Sequence, residues 1–129
     1  MLATPNTVFQ DKPHFEFGIV PGDGVNLLWP EVIGSIRASY FLLMRQELDA
    51  TTAKEWGVVN EILPTHQLMS RAHELAESLA ALPPLTSRYT RIELTQKLRR
   101  IVDEGAGYGL ALEDISAADV ALQSASASN

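Results

Sequence analysis

The residues best suited to chemistry lie in one short stretch, Pro13 to Gly24. This stretch holds His14, one of three histidines in the chain, and Asp23, which stands between two glycines. Histidine suits proton transfer near neutral pH because its unperturbed pKa is about 6.5. A carboxylate can orient such an imidazole and stabilise its charged form. We therefore predict that His14 and Asp23 are catalytic residues.

The glycines on either side of Asp23 predict a tight turn that can approach a ligand closely. Beside such a turn, His14 could donate a hydrogen bond to a carbonyl or enolate oxygen, an oxyanion-type role worth about 3–4 kcal/mol. We predict that Gly22, Gly24 and Trp29 belong to this substrate-binding turn. The alternatives are a plain turn in which Asp23 bonds its own backbone, and a Trp29 side chain that packs in the core.

The remaining candidates for chemistry give weaker signals. His66 is predicted at the surface near a helix start, and His73 on the solvent face of an amphipathic helix. No histidine and carboxylate pair has the spacing of a metal site. The chain has no cysteine, which excludes disulfides, thiolate catalysis and cysteine-ligated metals. We expect neither a metal nor a cofactor.

Size and charge narrow the class of protein. The 129 residues, 46% of them apolar, are enough for one domain or part of one, with a buried core. The net charge of −6 argues against nucleic acid as a partner. We expect no signal peptide, and the sequence contains no apolar run of the ~20 residues that span a bilayer. We expect no membrane partner and a cytoplasmic location.

The apolar pattern predicts a short β-rich entry followed by mostly helix. The predicted extended segments are Thr7 to Gln10, Phe15 to Val20 and Val58 to Leu63. Residues 25–33 are predicted as a short helix or a turn, interrupted at Pro30. The other predicted helices are 36–45 after Ser35, 50–56 after Asp49, 68–82, 86–103 and 108–122. The last two are separated by a break at Gly105 to Gly107.

The helix predicted at 86–103 is apolar on two sides. One side carries Leu85, Tyr89 and Ile92, and the other carries Leu94, Leu98 and Ile101. Such a helix must contact two surfaces, within the fold or in another subunit. The short strands also leave an open edge that invites pairing. We expect a homo-oligomer, either a trimer or a dimer.

The order of several short motifs resembles the signature of the crotonase (enoyl-CoA hydratase/isomerase) superfamily. The matching residues are Pro13, Gly18, Pro21, Gly22, Gly24, Gly34 to Ala38, Leu48 to Ala50, Ala53 and Trp56 to Pro64. The resemblance implies an α/β, crotonase-like fold. This chain would hold the later turns of a ββα spiral and a C-terminal helical region used for trimerisation, and would be mostly helical.

Three departures from the family pattern point to a narrower branch. His14 stands where the hydratases have an acid/base glutamate, Asp23 replaces a small residue, and Val25 replaces a glycine. These positions are similar to those of the 6-oxocamphor hydrolase type, which cleaves a carbon–carbon bond in cyclic β-diketones without coenzyme A. The resemblance implies that Asp23 pairs with a histidine from the upstream half of the fold.

The same resemblance divides the chain into a partial crotonase core at residues 1–64, a helical oligomerisation region at 65–123 and a mobile tail at 124–129. The upstream half of the fold would supply one oxyanion-hole donor, most acyl-CoA contacts and an acid/base residue. We expect the isolated chain to be inactive, because the members of a catalytic unit act together.

The expected substrate is a small carbonyl compound, either a β-diketone or an acyl-CoA. Hydrolytic cleavage of a cyclic β-diketone, a retro-Claisen reaction, is the function that the branch resemblance implies for the parent protein. Two alternatives stay open. One is a hydratase or isomerase that acts on acyl-CoA, and the other is a non-catalytic helical fragment that self-associates.

Overall fold

The computed structural model describes residues 1–127. The strands are β1 (Leu2–Ala3), β2 (Val8–Phe9), β3 (Leu48–Asp49) and β4 (Glu61–Ile62). The helices are α1 (Lys12–Glu16), α2 (Val25–Ile33), α3 (Ser35–Leu43), α4 (Ala50–Glu55), α5 (Thr65–Ala80) and α6 (Pro84–Ala127). The prediction of short strands and mostly helix is confirmed.

The first compact unit comprises Met1–Phe9 and Leu48–Arg99. Strand β1 pairs with β4 in parallel, and β2 pairs with β3 antiparallel. The buried apolar residues of this unit are Ala3, Leu48, Ala50, Ala53 and Val59. Small side chains dominate this core, so that the strands and α4 approach closely.

Helix α4 has the caps that its sequence predicts. The carboxylate of Asp49 accepts a hydrogen bond from the Thr52 backbone N–H at 2.7 Å, as an N-cap residue does. After the helix, Gly57 adopts a φ of 81°, which is the left-handed conformation that glycine tolerates. Asp49 and Gly57 thus bound α4 at its two ends, and the predicted helix start after Asp49 is confirmed.

The second compact unit comprises Gln10–Glu47 and the chain from Arg100 onward. Its buried apolar residues are Ile33, Ala38, Phe41 and Leu42. The Trp29 ring stacks on that of Phe41, with centroids 4.7 Å apart and planes inclined by 28°. Helices α2 and α3 thus meet around an aromatic pair.

The predicted extended segment from Phe15 to Val20 is wrong. Lys12–Glu16 forms a short helix instead, with Pro13 in its first turn, where proline is favoured. Gly18 then adopts a φ of 71°, and the Ile19 N–H donates to the carbonyl of His14 at 2.7 Å. These local bonds outweigh the β-propensity of the segment.

The predicted break at Gly105 to Gly107 is also wrong, since α6 continues through it to Ala127. A Cβ on Gly105 would lie 2.7 Å from Leu27 Cδ2, so this glycine accommodates a side chain of α2. Close packing offsets the low helix propensity of glycine. Residues 124–127 of the predicted mobile tail are helical, and 128–129 lie outside the described residues.

Several predicted boundaries shift by a few residues. Ser35 was the expected N-cap of the next helix, but α3 begins at Ser35 and the cap is Gly34 with a φ of 84°. Helix α2 spans Val25–Ile33 and continues through Pro30. Across the described part of the chain, no helix has both the length and the apolar character needed to span a bilayer. The predicted domain limits at 64 and 123 stay a prediction.

Candidate active site

The sequence of α1 places the His14 imidazole inside the second unit. Pro13 starts the helical turn, and the carbonyl of His14 accepts the Ile19 N–H that closes it. Only 18% of the His14 side chain is exposed. The side chain is therefore partly shielded from water, so that neighbouring charges act on it more strongly than they would in open solvent.

Three carboxylates surround this imidazole. Asp11 Oδ1 lies 2.5 Å from Nδ1, which is a hydrogen bond within one helical turn. Asp23 Oδ2 and Glu113 Oε1 each lie 3.9 Å from Nε2, on the other side of the ring. At that distance they act through charge, because a hydrogen bond to nitrogen is closer to 3 Å.

These contacts change the proton affinity of His14. Partial burial alone would lower the pKa of its imidazole. The hydrogen bond with Asp11, together with the negative charges of Asp11, Asp23 and Glu113, outweighs this effect and raises the pKa of His14 above its ordinary value. The ring is thus a stronger base than a free histidine, and it holds a proton up to a higher pH.

A contact between two glycines brings Asp23 and Glu113 to the same ring. Gly22 precedes Asp23, and Gly109 lies one helical turn before Glu113. A Cβ on Gly22 would lie 2.0 Å from the Gly109 carbonyl oxygen, and a Cβ on Gly109 would lie 2.4 Å from that of Gly22. Only glycine permits this approach of turn and helix.

The described part of the second unit contains buried polar atoms that lack a hydrogen-bond partner. Three buried oxygens have no hydrogen-bond partner among the described residues: Asp11 Oδ2, Asn26 Oδ1 and Glu113 Oε2. Unpaired buried acceptors are uncommon in folded proteins and are costly.

The predicted site residues fall into two groups. His14 and Asp23 are brought together, Gly22 is buried against Gly109, and Gly24 has a φ of 125° as the residue that precedes α2. Trp29 stacks on an aromatic ring of the core. The catalytic and substrate-binding roles of these residues stay predictions.

Sequence reasoning missed two members of the cluster. Asp11 lies three residues before His14, a spacing that places both side chains on the same face once this segment is helical. Glu113 lies in α6, 99 residues after His14, and no local pattern could have joined it to the ring. His66 and His73 are exposed, as predicted.

An apolar cavity of about 560 Å³ lies in the same unit. It is lined by Phe15, Gly18, Ile19, Val20, Pro21, Asn26, Pro30, Ser39, Leu42 and Leu43. Asn26 contributes one of the unpaired oxygens to its wall. Within residues 1–127, no group of three His, Cys, Asp or Glu side chains is arranged to hold a metal ion.

Comparison with known proteins defines the family. The profile described as Enoyl-CoA hydratase/isomerase matches residues 2–113, so the chain belongs to that family. A carnitinyl-CoA dehydratase from Salmonella arizonae is 32% identical over 97 residues, which are 74% of this chain and 37% of that protein. The 4-chlorobenzoyl coenzyme A dehalogenase-1 of Arthrobacter sp. is 38% identical over 64% of this chain and 32% of its own length.

Solved structures confirm the crotonase-like fold. A β-diketone hydrolase from the cyanobacterium Anabaena sp. PCC 7120, bound to (S)-3-oxocyclohexyl acetic acid, is 56% identical with a TM-score of 0.90. The similarity covers 92% of this chain and 48% of that one. An enoyl-CoA hydratase from Mycobacterium tuberculosis H37Rv shares the fold at 21% identity and a TM-score of 0.83, over 96% of this chain and 54% of that one. The chain spans about a third to half of these relatives.

Proposed function

We propose that these residues supply one share of an active site that hydrolyses a carbon–carbon bond in a cyclic β-diketone. The observation that carries the proposal is the partly shielded His14 between carboxylates, in a chain 56% identical to a β-diketone hydrolase. His14 and Asp23 also depart from the hydratase pattern in the direction of the 6-oxocamphor hydrolase type, which supports the same reaction. Since the similarity covers only 48% of that hydrolase, the activity is proposed for a site completed by the matching remainder of the fold and not for this chain alone.

In the first step His14 acts as the base. Its Nε2 takes a proton from water, and the resulting hydroxide adds to one carbonyl carbon of the substrate. The negative charges of Asp23 and Glu113, each 3.9 Å away, stabilise the imidazolium that forms. The raised pKa of His14 serves the same end, because a stronger base removes the proton more readily.

In the second step the tetrahedral alkoxide collapses. The bond between the attacked carbon and the central carbon breaks, and its electron pair leaves as the enolate of the second carbonyl. His14 returns its proton to that enolate, at carbon or oxygen, and the products are one carboxylic acid and one ketone within a ring-opened keto acid. Water and diketone account for every atom, so the reaction needs no cofactor.

A hybrid enzyme tests the proposal. Residues 1–129 replace the matching segment of the Anabaena β-diketone hydrolase, which the similarity makes structurally compatible. The hybrid and the chain alone are incubated with monocyclic and bicyclic 1,3-diketones in H₂¹⁸O. We expect the hybrid to form the keto acid with one ¹⁸O in its new carboxylate. A folded hybrid with no turnover of any of these diketones would contradict the proposal.

A coenzyme A thioester is the second candidate substrate. The identity of 32% to a carnitinyl-CoA dehydratase favours it. The same hybrid is offered an enoyl-CoA, and hydration is followed by the loss of the conjugated thioester absorbance. The substitution of His14 for the acid/base glutamate of the hydratases argues against this candidate. If the hybrid hydrates the enoyl-CoA faster than it cleaves a diketone, the coenzyme A thioester becomes the favoured substrate.

Self-association without catalysis is the third candidate. Helix α6 exposes large apolar side chains, which lie between 44% and 75% exposed at Leu85, Tyr89, Ile92 and Leu94. Exposed apolar side chains of this kind are typical of a surface that binds another protein chain. Light scattering of the chain alone is the test, and this candidate predicts a dimer or a trimer. A monomer at all concentrations would remove the candidate and leave the catalytic proposal untouched.

A further inference from the structure

We propose that Asp11 is a positioning residue that fixes the tautomer of His14, so that Nε2 is the nitrogen that exchanges the proton. The inference rests on the proposed acid/base role of His14 for its catalytic meaning. The tautomer itself is a property of the folded chain and is measured without substrate.

The local structure of Asp11 differs from that of an ordinary helix cap. Asp11 is the residue before α1, a position from which an aspartate usually accepts a backbone N–H of the first turn. Asp49 does so before α4, at 2.7 Å from the Thr52 nitrogen. The Asp11 side chain makes no such bond within the described residues. Gln10 Oε1 instead accepts the Lys12 N–H at 2.6 Å.

The carboxylate of Asp11 is therefore committed to the imidazole. Its Oδ1 lies 2.5 Å from His14 Nδ1, and only 14% of its side chain is exposed. An ionised carboxylate can only accept, so Nδ1 must carry the hydrogen in this bond. Nε2 then carries no hydrogen in the neutral ring, and it faces the carboxylates of Asp23 and Glu113 at 3.9 Å.

The other charged groups near the ring reinforce this assignment. Asp23 and Glu113 both face Nε2, where they favour its protonated form once it has taken a proton. The charge of Lys12, which follows Asp11 in the chain, is paired with Glu47 at 2.5 Å. Asp11 thus acts on one nitrogen, and Asp23 and Glu113 act on the other.

Nuclear magnetic resonance of the imidazole nitrogens tests the assignment. The chain holds three histidines, and single His66→Gln and His73→Gln variants identify the His14 signals. The ¹⁵N shifts are followed from pH 5 to pH 9 in the unaltered chain, in Asp11→Asn and in Glu16→Gln. Glu16→Gln is the matched control, because it removes one negative charge from an exposed side chain of the same helix.

In the unaltered chain we expect a neutral His14 with hydrogen on Nδ1. In Asp11→Asn we expect mixed tautomers and a lower His14 pKa, while Glu16→Gln leaves both unchanged. Hydrogen on Nε2 in the unaltered chain would overturn the inference even if Asp11→Asn failed to fold. An Asp11→Asn variant with the unaltered tautomer and titration would also overturn it. A purely structural bond would change melting behaviour without moving the tautomer.

The kinetics of Asp11→Asn in the hybrid enzyme provide a second test of the positioning role. We expect Asp11→Asn to lower kcat with little change in KM, and to shift the acid limb of the rate profile to lower pH. Equal kcat values and superimposable profiles in Asp11→Asn and Glu16→Gln would count against a positioning role. If no hybrid turns over a diketone, the proposed function fails, but the tautomer experiment still decides the inference.

Discussion

Two clusters of opposite charges, one in each compact unit, differ in how completely they are satisfied. In the first unit, Arg71 donates to both oxygens of Glu61 at 2.9 and 3.1 Å and to Glu74 at 3.0 Å. In the second unit, His14 faces three carboxylates and makes one hydrogen bond among them. Both clusters contain more carboxylates than cations, but Arg71 hydrogen-bonds both of its carboxylates, whereas Asp23 and Glu113 lie 3.9 Å from the His14 ring.

The difference separates a structural ion pair from a candidate site. The hydrogen bonds to Glu61 and Glu74 raise the pKa of Arg71 further, and the bond from Arg71 lowers the pKa of Glu61. Neither change affects protonation near neutral pH. The pKa of His14 is raised above its ordinary value of about 6.5, so its protonation changes in the pH range in which acid/base catalysts work. The clusters therefore predict different responses to substitution, as follows.

Replacement of His14 has the largest expected effect. In the hybrid enzyme, His14→Gln should lower kcat for 1,3-diketone cleavage by about 10²–10⁴-fold, the range for loss of a general base. His73→Gln, at an exposed position of α5, should leave kcat unchanged. Steady-state kinetics of the two variants make the comparison. Equal kcat values would remove His14 from the chemistry.

Replacement of two nearby glycines tests how the second unit holds its cluster. Gly109→Ala places a methyl group 2.4 Å from the Gly22 carbonyl oxygen and should destabilise by about 1–3 kcal/mol or more. At Gly107 no described heavy atom lies within 4 Å of the added carbon, so Gly107→Ala should stabilise the helix by up to about 1 kcal/mol. Urea unfolding measures both. Similar effects of the two variants would refute the close contact.

The two clusters should lose stability at opposite ends of the pH range. The pKa of His14 is raised in the folded chain, so its stabilisation is complete below about pH 6.5 and is lost as pH rises through the raised value. The pKa of Glu61 is lowered, so its stabilisation is present above its ordinary value of about 4.3 and is lost as pH falls through the lowered one.

Thermal unfolding from pH 3 to pH 9 measures this dependence. His14→Gln should flatten the decline on the alkaline side, and Glu61→Gln should flatten the decline on the acid side. As controls, His14→Gln should leave the decline on the acid side unchanged, and Glu61→Gln should leave the decline on the alkaline side unchanged. A decline on the alkaline side that persists in His14→Gln would assign it to another group.

Replacement of Arg71 has the smallest expected effect. Exposed ion pairs contribute little to stability, because solvent screens them. Arg71→Gln should lower the melting temperature only slightly and leave diketone turnover by the hybrid unchanged. Differential scanning calorimetry and the kinetic assay check the two parts. A large loss of turnover would mean that the satisfied cluster also serves the reaction.

The parts of the fold that local rules govern were predictable from the sequence. The caps of α4 at Asp49 and Gly57 follow from side-chain bonding and backbone conformation within a few residues. The prediction of a break in α6 was wrong because contacts remote in sequence, and not local rules, decide the conformation there. Gly105 and Gly109 are helical because Leu27 and Gly22 pack against them, and those contacts are remote in sequence.

The candidate site divides in the same way. His14 and Asp23 were found because they share one short stretch and depart together from a family pattern. Glu113 could not be found, since contacts remote in sequence, such as that of Gly22 with Gly109, bring α6 to the ring. The family resemblance supplied the fold, and the three-dimensional packing supplied the third carboxylate.

The pH dependence of kcat/KM for a cyclic 1,3-diketone, measured on the hybrid enzyme, tests the central claim most directly. If His14 is the base and its carboxylates raise its pKa, the rate should rise with pH through a midpoint above about 6.5. The limb should vanish in His14→Gln. A profile without this limb, or the same limb in His14→Gln, would contradict the account.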